Sequence, residues 1–186
     1  MKQTRILRTQ NLTGIALMTA ILCITGPFAI PIGLSPVPVT LSTLTIYLCL
    51  FAIGLKKGCV SILLYLLLGF MGLPVFAGFS GGIGKLFGPT GGYLMGYLLL
   101  AFIAGLFINK RTNKWYLYLL GMFLGTAACY LFGSVWMAYQ MQLSYLTALS
   151  IGTLPYLPAD LIKMLLALLL GLPLRRAMTS ASLVLY

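Results

Sequence analysis

The sequence predicts an all-α integral membrane protein. It is read as a single membrane domain over residues 1–186, with six transmembrane helices and both termini in the cytoplasm. Three observations carry the prediction. Hydrophobic residues make up 61% of the chain and charged residues 7%, with a mean hydropathy of +1.05; soluble domains average about 25% charged residues. Six apolar runs have the length a bilayer requires, about 20 residues with a range of about 17–25. The basic residues fall between those runs in a pattern that assigns every cluster to one face of the membrane.

The first run, about Leu12 to Ile30, follows Lys2, Arg5 and Arg8. It is too long for the apolar core of a signal peptide, and further spans follow it. Gly26-Pro27 is expected to bend or end it. The second run is about Val39 to Leu55, and the third, about Gly58 to Leu73, is short and closed by Gly72 and Pro74. The fourth is about Gly91 to Asn109, the fifth about Trp115 to Met137 and the sixth about Tyr156 to Leu174. Lys56/Lys57 join the second to the third, Lys110/Arg111/Lys114 join the fourth to the fifth, and Arg175/Arg176 follow the sixth. With six spans, these clusters and the N-terminal one lie on the same side, and ten of the twelve basic residues are placed there. The positive-inside rule makes that side cytoplasmic. An odd number of spans breaks the agreement.

Composition also excludes whole classes of function. A net charge of +11 suggests nucleic acid, but no basic face or recognition motif accompanies it. Cys23, Cys49, Cys59 and Cys129 sit in separate apolar runs without a CxxC pair, and the chain has no histidine. Metal binding and a disulfide framework are unsupported, and no cofactor is expected. No nucleophile–base pair suggests an enzyme.

The longer connections are about Pro31 to Pro38, Pro74 to Thr90 and Ala138 to Pro155, all on the outer side. Connections longer than a turn needs often carry function. The first is proline-rich and reads as a stiff cap on the second span. The second runs from Gly72 to Tyr93 and is rich in glycine, which lets backbone groups approach a ligand closely. Thr90 is placed to cap the fourth span, whose free N–H groups would favour an anion. Lys85 is the outer-loop cation that could draw one in. A flexible connection without a ligand fits the glycine content equally well. Near the third connection, Trp136, Tyr139 and Tyr145 read as interfacial anchors, with stacking on a ligand as the alternative.

Asp160 is the one carboxylate side chain in 186 residues, and Lys163 follows it by three within the sixth run. Ionised groups inside a membrane helix are costly and mark functional sites. At this spacing the two share a helix face. They either neutralise each other as a structural ion pair or divide a ligand between them, with Asp160 accepting N–H bonds and Lys163 pairing an acid. Small residues spaced by four, Ala16/Ala20, Gly92/Gly96 and Gly121/Gly125, let helices approach closely.

Three segments together resemble the BioY family, the biotin-binding S components of energy-coupling-factor (ECF) vitamin transporters. They are Ser35-Pro-Val-Pro-Val-Thr-Leu41, the stretch from Gly72-Leu-Pro-Val-Phe-Ala-Gly78 through Gly88-Pro-Thr-Gly-Gly-Tyr93, and Tyr156-Leu-Pro-Ala-Asp-Leu-Ile-Lys163. The chain departs from the family pattern at Ser42, Phe79 and Ala159, where Gln, a small or polar residue and Gly are usual. The resemblance implies a six-helix protein holding one vitamin near its outer face. Asp160 would take the ureido N–H groups of biotin, and Lys163 either its carboxylate or its ureido carbonyl. Gly82, Pro89, Thr90, Tyr93 and Tyr156 would complete the enclosure, with Phe79, Gly81, Lys85 and Trp136 as weaker contacts. The resemblance also implies a partner, the ECF module of one transmembrane subunit and two ATPases, docked on Ala16 and Ala20. The chain has no ATP-binding motif of its own. A stand-alone ion-coupled transporter of a small organic acid is the alternative, and internal repeats would mark it.

Overall fold

Glycine and proline decide where the helices of this chain stop. The computed structural model describes residues 9–30, 37–109 and 114–180. The predicted basic positions Lys2, Arg5, Arg8, Lys110 and Arg111, both termini and most of the first outer connection lie outside the described residues. Helix α1, Thr9–Thr25, ends where the Gly26 N–H bonds the Leu22 carbonyl at 2.8 Å. The backbone then turns at Gly26-Pro27, so the last five residues of the predicted first span are not helical. Ala29–Ile30 form strand β1, which pairs antiparallel with β2, Val39–Thr40. This small ladder corrects the all-α expectation. Proline-restricted backbone on both sides of the connection stays extended, and two extended segments held side by side satisfy each other's N–H and C=O groups.

Helix α2, Ser42–Phe70, spans 29 residues and contains most of the predicted second and third spans, the first two residues of the second being strand β2 instead. Gly54 interrupts it at φ 77° and ψ 176°, a backbone state closed to residues with a β-carbon. A β-carbon on Gly58 would lie 2.9 Å from Leu50, and the side chains of Ser42 and Tyr65 lie close enough to interact. A straight helix would hold those last two residues roughly 35 Å apart. The chain therefore folds back at Gly54 into two antiparallel limbs, 42–53 and 55–70, with Lys56 and Lys57 at the tip.

A short helix α3, Ile83–Leu86, interrupts the glycine-rich connection, and α4 follows at Gly91–Ile108. Helix α5, Trp115–Met141, runs four residues past the predicted end. Much of the expected third connection is helical too: α6, Tyr145–Gly152, starts at Ser144, whose hydroxyl accepts the Thr147 N–H. A 3₁₀ turn, Leu154–Tyr156, leads into α7, Leu157–Ser180. That helix passes the predicted end at Leu174 and carries Pro173 inside it.

Among the described residues, four helical stretches are long and apolar enough to cross a membrane: α2 counted whole, α4, α5 and the stretch from Tyr145 to Ser180. Helix α1, at 17 residues, is shorter. The first limb of α2 forms the centre, with Ile46, Tyr47, Leu50 and Phe51 fully buried. α1, α4 and α7 pack around α2, while α5 covers α4.

All four glycines of the two spaced pairs lie between α4 and α5. Gly92 faces Trp136, Gly96 faces Cys129, Gly121 faces Phe107, and Gly125 lies against the Leu100 carbonyl and Ala104. Ala16 and Ala20 differ, because both are exposed on α1. At one end of the molecule, Arg175 donates to the Ile108 carbonyl at 2.7 Å and to the Tyr118 hydroxyl at 3.3 Å. Leu174 and Met178 pack there beside Ala52 and Ile53. The Lys56–Lys57 tip, Lys114 at the start of α5 and Arg175 thus gather at that end. The β1–β2 ladder and α3 occupy the other.

The fold-back makes a direct prediction. Gly54→Ala forces a β-carbon into a glycine-only conformation, at a cost of about 1–3 kcal/mol. Thermal unfolding in detergent is expected to show a midpoint several degrees below wild type, at roughly 2–4 °C per kcal/mol. Gly84→Ala, with no atom within 4 Å of the added carbon, is expected to leave the midpoint unchanged.

Candidate functional site

Asp160 lies in the first turn of α7, where the free N–H end of a helix favours a negative charge. It is 3% exposed, and Lys163, one turn on, is 8% exposed. The Lys163 Nζ donates to Asp160 Oδ1 at 2.8 Å, so the two form a direct buried ion pair. Two further helices complete the pair's hydrogen bonding. From the first turn of α2, the Thr43 hydroxyl donates to the same Oδ1 at 3.5 Å and accepts from Lys163 at 3.3 Å. From α5, the Tyr130 hydroxyl donates to Oδ2. Both carboxylate oxygens are therefore engaged, as a buried charge requires.

These groups line a cavity of about 40 Å³. Residues 37–40 and Thr43 form one side, Tyr93 and Tyr97 of α4 another, and Thr126, Cys129 and Tyr130 of α5 a third. Tyr156 closes the end, donating to the Val37 carbonyl, and the Tyr97 and Thr40 hydroxyls meet at 3.4 Å. The Tyr93 hydroxyl joins Ser134 at 3.2 Å, and Ser134 joins Thr153 at 3.2 Å. That chain of hydroxyls ties α4, α5 and the end of α6 together.

Asp160, Lys163, Tyr93 and Tyr156 are brought together in the cavity wall. The other predicted contacts lie outside that wall, in or beside the glycine-rich connection. Gly82 donates its N–H to the Gly69 carbonyl at 2.7 Å, and a β-carbon on Gly81 would meet the Leu73 carbonyl at 2.2 Å. Both glycines thus serve the loop's own close packing on the end of α2. Phe79 is 65% exposed, with its ring edge-on to Phe28 at 6.0 Å. Lys85 is half-buried in α3. Trp136 holds the loop before Pro89, its ring N–H donating to the Gly88 carbonyl at 3.0 Å.

Thr90 does stand at the start of α4, but its hydroxyl makes no capping bond. The N–H groups of Gly91 and Tyr93 already donate to the carbonyls of Gly88 and Thr90. Two of the N–H groups at the expected anion-favouring helix start are therefore used by the turn itself.

Thr43, Tyr130, Tyr97, Thr126 and Cys129 were not expected at the site. One signal was available for Tyr130: a tyrosine hydroxyl deep in an apolar run must find a partner, and the chain offers a single carboxylate. Among the described residues no group of side chains is arranged to hold a metal ion.

Comparison with known proteins covers nearly the whole chain. The model of the BioY family matches residues 1–180. The chain is similar to the biotin transporter BioY2 of Lactococcus lactis, 37% identical over 169 residues, covering 91% of this chain and 92% of that protein. It is 37% identical over 168 residues to the biotin transporter BioY of Thermotoga maritima, covering 90% of this chain and 96% of that one. Among solved structures it resembles the S-component for biotin from an ECF-type ABC transporter. The TM-score is 0.84 at 33% identity, covering 94% of this chain and 95% of that one.

The ion pair predicts an asymmetry between single and double substitutions. Lys163→Met leaves Asp160 buried without its cation, at a cost of about 3–5 kcal/mol. Lys163→Met with Asp160→Asn removes both charges and is expected to recover more than half of that loss. Urea or thermal unfolding of the ligand-free protein in detergent checks it. A double variant as unstable as the single would show that charge neutralisation does not govern this site.

Proposed function

The chain belongs to the BioY family, and we propose that it is the biotin-binding S component of an ECF-type transporter. In this reading it crosses the cell membrane six times, through α1, the two limbs of α2, α4, α5 and α7. The end bearing Lys56, Lys57, Lys114 and Arg175 faces the cytoplasm, which follows the positive-inside rule. The cavity at the other end then opens towards the outside.

The observation that carries the reading is the buried Asp160–Lys163 pair, braced by Thr43 and Tyr130 in a cavity wall. Biotin has a ureido ring with two N–H donors flanking a carbonyl, and a valerate chain ending in a carboxylate. Asp160 accepts a ureido N–H. Because Lys163 sits 2.8 Å from the same carboxylate, it faces the same edge of the ligand, and we assign it the ureido carbonyl. The distant ligand carboxylate is left to the glycine-rich connection, where Gly81, Gly82, Lys85, Pro89 and Thr90 lie. In this reading energy comes from a partner, the ECF module, and an ion gradient is the alternative source. The exposed Ala16 and Ala20 of α1 form the docking face for the transmembrane subunit of the ECF module.

Two measurements test this. In titrations of purified protein with biotin, Asp160→Asn and Lys163→Ala are each expected to weaken binding by about 10- to 100-fold, the worth of a hydrogen bond to a charged group. Unchanged affinity in both sinks the site assignment. In whole cells, uptake of labelled biotin is expected only with the ECF module co-produced, and Ala16→Leu/Ala20→Leu is expected to abolish it while purified protein still binds biotin. Uptake by this chain alone, driven by an ion gradient, points to a secondary transporter instead.

A further inference from the structure

The site cavity shares a wall with a second, larger space. Between α5 and α7 lies an apolar groove of about 290 Å³. Thr126, Tyr130 and Asp160 line both it and the polar cavity. Two of these three are fixed. The Thr126 hydroxyl donates to the Met122 carbonyl at 2.8 Å and meets the Tyr47 hydroxyl, while Asp160 is held by Lys163 and Thr43. The Tyr130 hydroxyl goes to Asp160, and its ring meets Tyr93 edge-on at 6.2 Å.

At about 40 Å³, the polar cavity has room for two or three waters, whereas sites that enclose small ligands run to about 300–1,000 Å³. A bicyclic ligand needs a wall that moves. Residues 37–40 are tethered by Tyr156 and Tyr97, and Ile46, Tyr47, Leu50 and Phe51 of the first limb of α2 are fully buried. Protein interiors hold few voids larger than a water. Behind Tyr130, in contrast, lies the apolar groove, where no protein side chain blocks the ring. The same side chain occupies Asp160 Oδ2, the oxygen that an incoming N–H would seek.

We propose that Tyr130 is an internal stand-in for the ligand: its hydroxyl holds Asp160 Oδ2 in the empty site, and a ligand N–H replaces it. The ring then turns into the α5–α7 groove, and the groove's space joins the cavity. Thr153, which also lines the groove, offers the displaced hydroxyl a polar partner. The exchange sets a requirement on the ligand, which must bring an N–H donor at that edge, as a cyclic urea does. This inference rests on the biotin reading and deepens it by naming the residue that biotin displaces.

The test is an isothermal titration of wild type, Tyr130→Phe and Ala127→Leu with biotin in detergent. Phe keeps the ring and removes the competing hydroxyl, so binding is expected to tighten about fivefold to tenfold, the difference between a charge-assisted and a neutral hydrogen bond. Ala127 lines the groove but not the polar cavity. Leu at this position fills the space the ring must enter, and binding is expected to weaken about tenfold, within the range for overpacking. Weaker binding by Tyr130→Phe overturns the proposal, because Tyr130 is then a fixed contact of the bound ligand. Unchanged binding by Ala127→Leu overturns it as well, because the groove then receives nothing. A wild-type protein that binds no biotin overturns the ligand reading itself, and the wild-type titration separates that failure from the other two.

Discussion

A single buried carboxylate organises one end of this protein. Asp160 cannot stay charged in an apolar bundle without a cation and enough donors, because an unpaired buried ion costs several kcal/mol. Its donors come from three helices: Lys163 on α7 itself, Thr43 at the start of α2 and Tyr130 on α5. Satisfying one charge therefore pins the first turns of α2 and α7 to the body of α5. The same bonds leave the pair facing a small cavity rather than lipid.

Close backbone approach makes that arrangement possible. In lipid, helices gain no hydrophobic free energy by associating and depend on packing. Gly96 against Cys129 and Gly125 against the Leu100 carbonyl bring α4 and α5 near enough for Tyr93 and Tyr130 to meet edge-on. Gly171 against the Phe51 ring does the same for α7 and α2. Ala16 and Ala20 have the same spacing, but among the described residues no helix covers them. Identical sequence patterns therefore build the interior in two cases and leave an exposed face in the third.

The fold-back at Gly54 gives the molecule its two chemically different ends. It returns the chain along its own path, bringing Ser42 close to Tyr65 and setting Lys56 and Lys57 at the turn. Arg175 completes that end by taking up the carbonyl that α4 leaves free at Ile108. Charge gathers there and hydroxyls gather at the opposite end, where Tyr93, Tyr97, Tyr130 and Tyr156 line the cavity.

What the sequence determined by itself was whatever depends on composition and local chain order. Apolar runs, the basic residues between them, the break at Gly26-Pro27 and the oddity of Asp160 beside Lys163 are all local, and each is found where the pattern puts it among the described residues. The β1–β2 ladder, the extension of α5 and the helix α6 were missed, because each is settled by neighbours rather than by propensity. Four predicted contacts, Asp160, Lys163, Tyr93 and Tyr156, meet in one wall. Thr43 and Tyr130 join them from positions 117 and 30 residues away from Asp160, separations that carry no local signal. The glycine-rich connection drew attention by its composition, yet Gly81 and Gly82 are spent on folding it against the end of α2. Only tertiary structure could decide which hydroxyls reach the buried charge, because hydrogen bonding acts at about 3 Å and answers to distance in space, not in sequence.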